Sequence, residues 1–175
     1  MKTISYALIA ALMFVATAPA NAQTSAPAKA EASATGEPHH HALSAHHESA
    51  AAHAKALHHH AATNAVVNKE VAHEHAEHAG KALEAAKKHH AAIESATAGD
   101  EKLKAHHAAI KDHHAKASEH HAALTNELSK PTPNAKTVQD HAAALHHHVK
   151  KAEAEHAAIK HKRKIKEPGE PAAPK

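Results

Sequence analysis

A seven-residue repeat with paired histidines occupies residues 103–130, which read LKAHHAA, IKDHHAK, ASEHHAA and LTNELSK. The repeating units open with Leu103, Ile110, Ala117 and Leu124. We assign these opening residues to heptad position a, so the histidine pairs of the first three units take positions d and e. A sustained seven-residue period is typical of α-helices that pack with a left-handed supercoil.

The same pattern extends over three other alanine-rich stretches, so the sequence predicts four helices. Ala, Lys and Glu, all strong helix formers, fill most of the other positions. The predicted helices cover about residues 39–62, 69–98, 101–129 and 133–163. The first helix is entered through Pro38 in its first turn, Asn68 caps the second and Gly99 ends it, and Asp100 caps the third. Pro131 breaks the chain before the fourth helix, which Thr132 can cap and Pro133 opens.

Histidine is the commonest residue at position d in three of the four predicted helices, and it shares this position equally with alanine in the second. The d residues of the first two helices are His39, His46, His53, His60, His75, Ala82, His89 and Ala96. Those of the last two are His106, His113, His120, Glu127, His141, His148, Glu155 and Lys162. The expected fold is all-α: an antiparallel up-down four-helix bundle with coiled-coil-like heptads and histidine at d and e.

A specific set of contacts follows if position a of each helix faces position d of its neighbour. His53 would then face Ala79, and His120 would face Leu145. Diagonally opposed helices would bring together His39 and His106, His46 and His113, His53 and His120, His75 and His141, His89 and Glu155, and His60 and Glu127. His148 would lie alone among alanines, and the e-position histidines 47, 90, 107, 114, 121 and 156 would lie beside the pairs.

The histidine spacing indicates ligands from more than one helix. Two histidines on one helix chelate a metal ion best at positions i and i+4. None of the 26 histidines has a partner at that spacing, and His75 and His78 are the only i, i+3 pair. The predicted metal ligands are His39, His46, His53, His60, His75, His89, His106, His107, His113, His114, His120, His121, Glu127, His141, His148, Glu155 and His156.

The ligand chemistry favours divalent transition metals. The chain has no cysteine, and its two methionines are Met1 and Met13. Imidazole with occasional carboxylate suits Zn(II), Ni(II), Cu(II) or Co(II) and disfavours Cu(I). We therefore expect an exported metal buffer or carrier, whose composition is similar to that of exported bacterial histidine-rich metal-binding proteins.

Both ends of the chain differ from the predicted bundle at residues 39–163. Residues 1–22 contain Lys2, an apolar run and the small-residue pattern Ala20–Ala22, which predict a signal peptide cleaved after Ala22 and a periplasmic or secreted protein. Residues 23–38 are predicted to be a disordered linker, and residues 164–175 a disordered, basic and proline-rich tail that could make weak contact with anionic surfaces. No later segment is expected to span a membrane.

Two other functions stay open at this point, whereas an enzyme is not expected. One is a pH-responsive structural bundle with a histidine core and no dedicated metal. The other is haem binding by two opposed histidines. The two E-x-x-H motifs, Glu70 with His73 and Glu153 with His156, would lie about 30 Å apart along the bundle, too far to share a di-iron site.

The sequence points to metal ions as the partners and leaves the assembly open. Lys and Arg number 21 against 18 Asp and Glu, and the only Tyr and Phe are Tyr6 and Phe14. This charge balance and the lack of aromatic residues exclude a typical nucleic-acid-binding surface. Monomer and homo-oligomer are both compatible with the pattern.

Overall fold

The computed structural model describes residues 37–64 and 66–165. This part of the chain forms four helices, which are α1 (Glu37–Thr63), α2 (Lys69–Ala96), α3 (Lys104–Ser129) and α4 (Ala135–Arg163), and it contains no strand. The prediction of an all-helical chain with four helices is confirmed. The predicted signal peptide, most of the predicted linker and nearly all of the predicted tail lie outside the described residues.

Two of the helices begin at asparagine N-caps. The Asn68 Oδ1 accepts a hydrogen bond from the Val71 backbone N–H at 3.2 Å, as predicted for the start of α2. The predicted cap of α4 is Thr132, but the structure places the cap at Asn134, whose Oδ1 accepts from the Thr137 N–H at 3.0 Å. An N-cap side chain must reach an N–H two or three residues ahead, and Asn134 is the residue placed to do so.

The connection between α2 and α3 also differs from the prediction. α2 ends at Ala96, two residues before the predicted end, and Thr97 is its C-cap. Asp100 does not cap α3; its Oδ1 accepts from the Lys102 N–H at 3.0 Å inside the turn. Leu103 takes the N-cap position without a side-chain hydrogen bond and is buried, so packing holds the start of α3 in place of a polar cap.

Each helix packs against two others. α1 lies against α2 and α4, and α3 lies against α4 and, less extensively, against α2. This arrangement is compatible with a helical bundle. No helix in the described part of the chain is both long and apolar enough to cross a membrane.

The core has an apolar half and a histidine half. One large cluster joins the end of α1, the start of α2, the end of α3 and the start of α4, with Leu57, Leu83, Leu124 and Leu145 among its buried residues. In the other half the apolar residues fall into two small separate clusters. Between them lie six buried histidines, which we call the core cluster: His40, His47, His90, His107, His114 and His156.

The second buried position of each helix is e, and the assignment of d to the core was wrong for most residues. In α1, positions a (Leu43, Ala50, Leu57) and e (His40, His47, Ala54, Ala61) are buried, whereas the d histidines are only half-buried. Both readings alternate steps of three and four residues, so the period alone does not separate them. The composition does, because position e also carries Ala54, Leu83, Leu128 and Val149, which are all apolar.

Candidate metal-binding histidines

Half-buried histidines from α1 and α2 meet in the groove between these helices. The Nδ1 atoms of His39 and His89 are 3.0 Å apart, and those of His53 and His75 are 3.2 Å apart. Two further rings lie beside these pairs. His46 stacks on His89 with ring centres 5.3 Å apart, and His78 stacks on His53 at 5.0 Å.

The groove between α3 and α4 repeats the arrangement. The Nδ1 atoms of His120 and His141 are 3.3 Å apart, and those of His113 and His148 are 3.4 Å apart. His148 also stacks on His120, with ring centres 5.6 Å apart, so it lies between two pairs. One heptad before His113 in α3, the His106 Nδ1 donates to the Glu155 carboxylate at 2.7 Å.

These contacts replace the predicted diagonal pairs. The structure pairs His39 with His89 instead of His106, and His53 with His75 instead of His120. It pairs His106 with Glu155, a residue that the prediction placed opposite His89. His46, His113, His141 and His148 likewise contact histidines of a neighbouring helix, and His148 is not isolated. The d side chains stand beside the core, between adjacent helices, and therefore do not reach the diagonally opposed helix.

The groove pairs have the nitrogen spacing of a chelate. Two imidazole nitrogens bound to one tetrahedral Zn(II) at about 2.0–2.1 Å stand about 3.3 Å apart. Three of the four Nδ1 separations, at 3.2, 3.3 and 3.4 Å, bracket that spacing. The described residues contain no group of three or more His, Asp or Glu side chains that could hold a metal ion.

The core cluster differs from the groove pairs in burial and in geometry. Two of its hydrogen bonds are shorter than any between the groove pairs: 2.8 Å between His40 Nδ1 and His156 Nε2 and 2.8 Å between His47 Nε2 and His114 Nε2. The third, between His90 Nε2 and His107 Nδ1, is 3.0 Å long. Edge contacts join the three pairs, because His90 lies against His114 and His47 lies against His156, with ring centres 5.7 and 6.2 Å apart. The six rings thus form one continuous buried array.

Burial keeps the core cluster uncharged at neutral pH. Desolvation is the largest cause, and it lowers the pKa of His40 and His90 to about 4, that of His114 and His156 to about 3, and that of His47 to about 2. Repulsion between neighbouring imidazoles lowers the pKa further. Neutral imidazoles keep one lone pair each for a hydrogen bond or a metal ion.

Thr97 orients one end of the array. Its hydroxyl donates to the Ile93 carbonyl at 2.8 Å, so the His107 Nε2, at 2.9 Å from the hydroxyl oxygen, must donate to it. The Nδ1 of neutral His107 then carries the lone pair and accepts from the Nε2–H of His90. Thr97, the C-cap of α2, therefore sets the proton positions of His107 and His90.

Three predicted ligands have structural contacts in place of the expected ones. His60 accepts a hydrogen bond from the Asn68 N–H at 3.2 Å and does not face Glu127. The Glu127 carboxylate accepts from Lys130 and from the Asn134 N–H at 2.8 Å, and these two hydrogen bonds, first that of Lys130, lower the pKa of Glu127. His121 donates from Nε2 to the Ala76 carbonyl at 2.9 Å. The His60 and Glu127 side chains therefore stabilise turns, and the His121 side chain links α3 to α2.

The sequence-based ligand set omitted three core histidines and one groove histidine. His40, His47 and His90 are buried at position e, and His78 lies at the edge of the α1–α2 groove. The apolar residues elsewhere at position e were the signal that would have placed the first three in the core.

In comparisons with protein-family models, curated proteins and solved structures, the chain has no match.

Proposed function

We propose that this chain is an exported histidine-rich protein that buffers or carries divalent transition metals, among them Zn(II), Ni(II), Cu(II) and Co(II), through histidine pairs between helices. The observation that most directly supports this proposal is the distance between the Nδ1 atoms of the paired groove histidines, which is 3.0–3.4 Å in four pairs. The same ring nitrogens meet in both grooves, so the heptad repeat presents several equivalent pairs to metal ions.

The proposed architecture is an up-down antiparallel bundle with heptad packing. Its support is the order of the groove contacts: as the position advances along α1 from His39 to His53, the partner in α2 recedes from His89 to His75. The partners in α3 and α4 follow the same rule, from His113 with His148 to His120 with His141. The pairs then form two rows, one in the groove between α1 and α2 and the other in the groove between α3 and α4.

The pairs suit a buffer better than a permanent metal centre. Two imidazoles fill half of a tetrahedral coordination sphere and leave the remaining positions to water or to an incoming ligand. The groove rings are half-buried, so an ion has a direct path to solvent. Because the two ligands belong to different helices, part of the binding energy would also stabilise the fold.

A titration of the untagged chain with Zn(II), Ni(II) and Cu(II) tests the proposal. We compare the wild type with the double variant His53→Gln/His120→Gln, which removes one partner from a pair in each groove. The matched control, His59→Gln/His161→Gln, changes two exposed histidines that belong to no pair. We expect the groove variant to lose the ions of two pairs and the control to bind as the wild type.

Two results would contradict the metal function. One is the absence of binding below about 1 mM. The other is equal stoichiometry in the wild type and in the groove variant. The exported location is tested separately, by the mass of the protein recovered from the periplasm or the medium, which cleavage after Ala22 would make begin at Gln23.

A pH-responsive structural bundle is the second candidate function, and the core cluster favours it. Six buried neutral imidazoles lose their favourable environment when they are protonated, so the helices would separate in acid. The two functions differ in their need for metal. Activity or assembly that persists after complete removal of metal ions by a chelator supports the pH-responsive function.

A further inference from the structure

Two adjacent rings of the core cluster each keep one nitrogen without a partner. His47 in α1 and His156 in α4 are 0% and 1% exposed, and the Nδ1 atom of each is buried with no hydrogen bond. Their rings lie edge to face, with centres 6.2 Å apart. A buried polar atom without a partner is costly, and proteins rarely retain one without a function or an occupant.

The other nitrogen of each ring is hydrogen-bonded. The Nε2 of His47 lies 2.8 Å from His114 Nε2, and the Nε2 of His156 lies 2.8 Å from His40 Nδ1. Histidines that ligate metals are held in this way: one nitrogen binds the ion, and the other N–H donates to a second group that fixes the ring. His114 and His40 are placed to be those second groups.

We propose that His47 and His156 bind one divalent metal ion between their Nδ1 atoms, at a buried site separate from the groove pairs. Zn(II) and Co(II) accept imidazole ligands, and water would complete their coordination. The site deepens the proposed metal-binding function and rests on it. An ion here would connect α1 to α4 inside the core, so it would exchange more slowly than an ion in a groove.

Arg163 opposes metal binding at this site. Its guanidinium NH1 lies 3.4 Å from His40 Nε2, and because arginine only donates, that nitrogen of His40 accepts. Neutral His40 then carries its proton on Nδ1 and donates to His156 Nε2, which places the proton of His156 on Nδ1. Ligation by His156 therefore moves one proton from His156 Nδ1 to His40 Nε2, with no net release, and separates His40 from Arg163.

Cobalt titration of the metal-free full chain tests the site, with absorption of the bound ion and its release to a chelator as readouts. We expect His47→Gln and His156→Gln each to lose the most slowly released ion. The matched control is His90→Gln, which is equally buried but is hydrogen-bonded through Nε2 and has no unpartnered buried Nδ1. It should retain that ion.

Arg163→Met provides a second test, because it should tighten this one site about tenfold. Lys162→Met removes the same charge one residue away and should leave the affinity unchanged. Equal slow-ion content in the wild type, His47→Gln and His156→Gln overturns the proposal. The groove variant His53→Gln/His120→Gln separates the two claims, since it should lose groove ions and keep the buried one.

If the core variants do not fold, nuclear magnetic resonance of the wild type tests the buried site at His47 and His156. On addition of one equivalent of Zn(II), the ¹⁵N signals of two buried Nδ1 atoms should move to the metal-bound position. Retention of all core imidazole shifts, with changes confined to groove histidines, would overturn the buried site and leave the groove sites standing.

Discussion

The imidazole of His121 in α3 occupies the space that a side chain at Gly80 of α2 would fill. A Cβ built at Gly80 would lie 2.5 Å from His121 Nε2, and that nitrogen donates to the Ala76 carbonyl at 2.9 Å. Glycine in the middle of a helix is unfavourable by about 1 kcal/mol relative to alanine. Its presence at position 80 is explained by the close approach of α3.

Gly80→Ala should therefore be less stabilising than helix propensity predicts. In the wild type, the gain of about 1 kcal/mol from alanine is offset because the His121 ring must move and lose its hydrogen bond. In a His121→Ala background the same substitution should stabilise the protein by the full amount. Urea unfolding of the four proteins of this double-mutant cycle measures the coupling, which we expect to be about 1 kcal/mol.

Gly99→Ala is the control for this cycle, since nothing lies within 4 Å of a Cβ at that position. Its effect should be the same with and without His121. Equal effects of Gly80→Ala in both backgrounds would show that the contact between Gly80 and His121 has no energetic consequence.

Acid should unfold the metal-free bundle cooperatively between pH 6.5 and about 4. Five of the six core histidines have a pKa near 6.5 when unfolded and between about 2 and 4 when folded, and burial also lowers the pKa of His107, so the unfolded chain binds more protons in this window. Stability is therefore greatest above pH 6.5 and falls as the pH falls. Helical circular dichroism against pH gives the midpoint and the steepness.

Replacing a hydrogen-bonded core pair with apolar residues should reduce this acid sensitivity. His47→Leu/His114→Leu removes both partners together, so neither is left unsatisfied. We expect a midpoint at lower pH and a shallower transition, because two fewer protons drive unfolding. The surface pair His59→Gln/His161→Gln should leave the transition where it is, and a midpoint shift in that control would point to general charge repulsion.

Metal ions should raise the melting temperature. Binding to ligands from two helices favours the folded state by about 2.7 kcal/mol when free metal is a hundred times its dissociation constant. Scanning calorimetry with and without Zn(II) measures the effect, and a chelator should reverse it. The increase should be smaller in His53→Gln/His120→Gln, whereas an identical increase in both proteins would place the relevant ligands elsewhere.

Asn134→Ala should destabilise the bundle by about 1 kcal/mol, because it removes the side-chain cap of α4. Thr132→Ala should have almost no effect, since Thr132 is exposed and lies before the cap. Asn68→Ala is a positive control of the same type at the start of α2. Thermal unfolding of the three variants distinguishes the two candidate caps of α4.

Glu127→Gln should lower stability without changing the number of bound ions. Glu127 is 5% exposed, and its carboxylate accepts from the Asn134 N–H and from Lys130 at the turn between α3 and α4. The amide weakens both contacts because it carries no charge. Loss of an ion in this variant would restore Glu127 as a metal ligand; unfolding by urea and a Zn(II) titration give the two readouts.

Local chemistry made much of the fold predictable from the sequence. The number of alanine-rich helices follows from residue propensities. The cap at Asn68 follows from the ability of its side chain to accept a hydrogen bond from a backbone N–H two or three residues ahead. The burial of position a in every helix follows from the aliphatic residues placed there. The spacing rule that excluded chelation within one helix also depends only on helix geometry and is independent of packing.

Tertiary packing decided which histidines are buried and which partners they meet. Where two histidines are adjacent, as at His46 with His47 or His113 with His114, residue type does not tell which of the two faces the core and which faces the groove. A rotation of about 100° about the helix axis separates the two choices. That rotation is set by the apolar residues of position e and by the neighbouring helices. It turned the predicted diagonal sites into groove pairs and placed His47 beside His156 in the core.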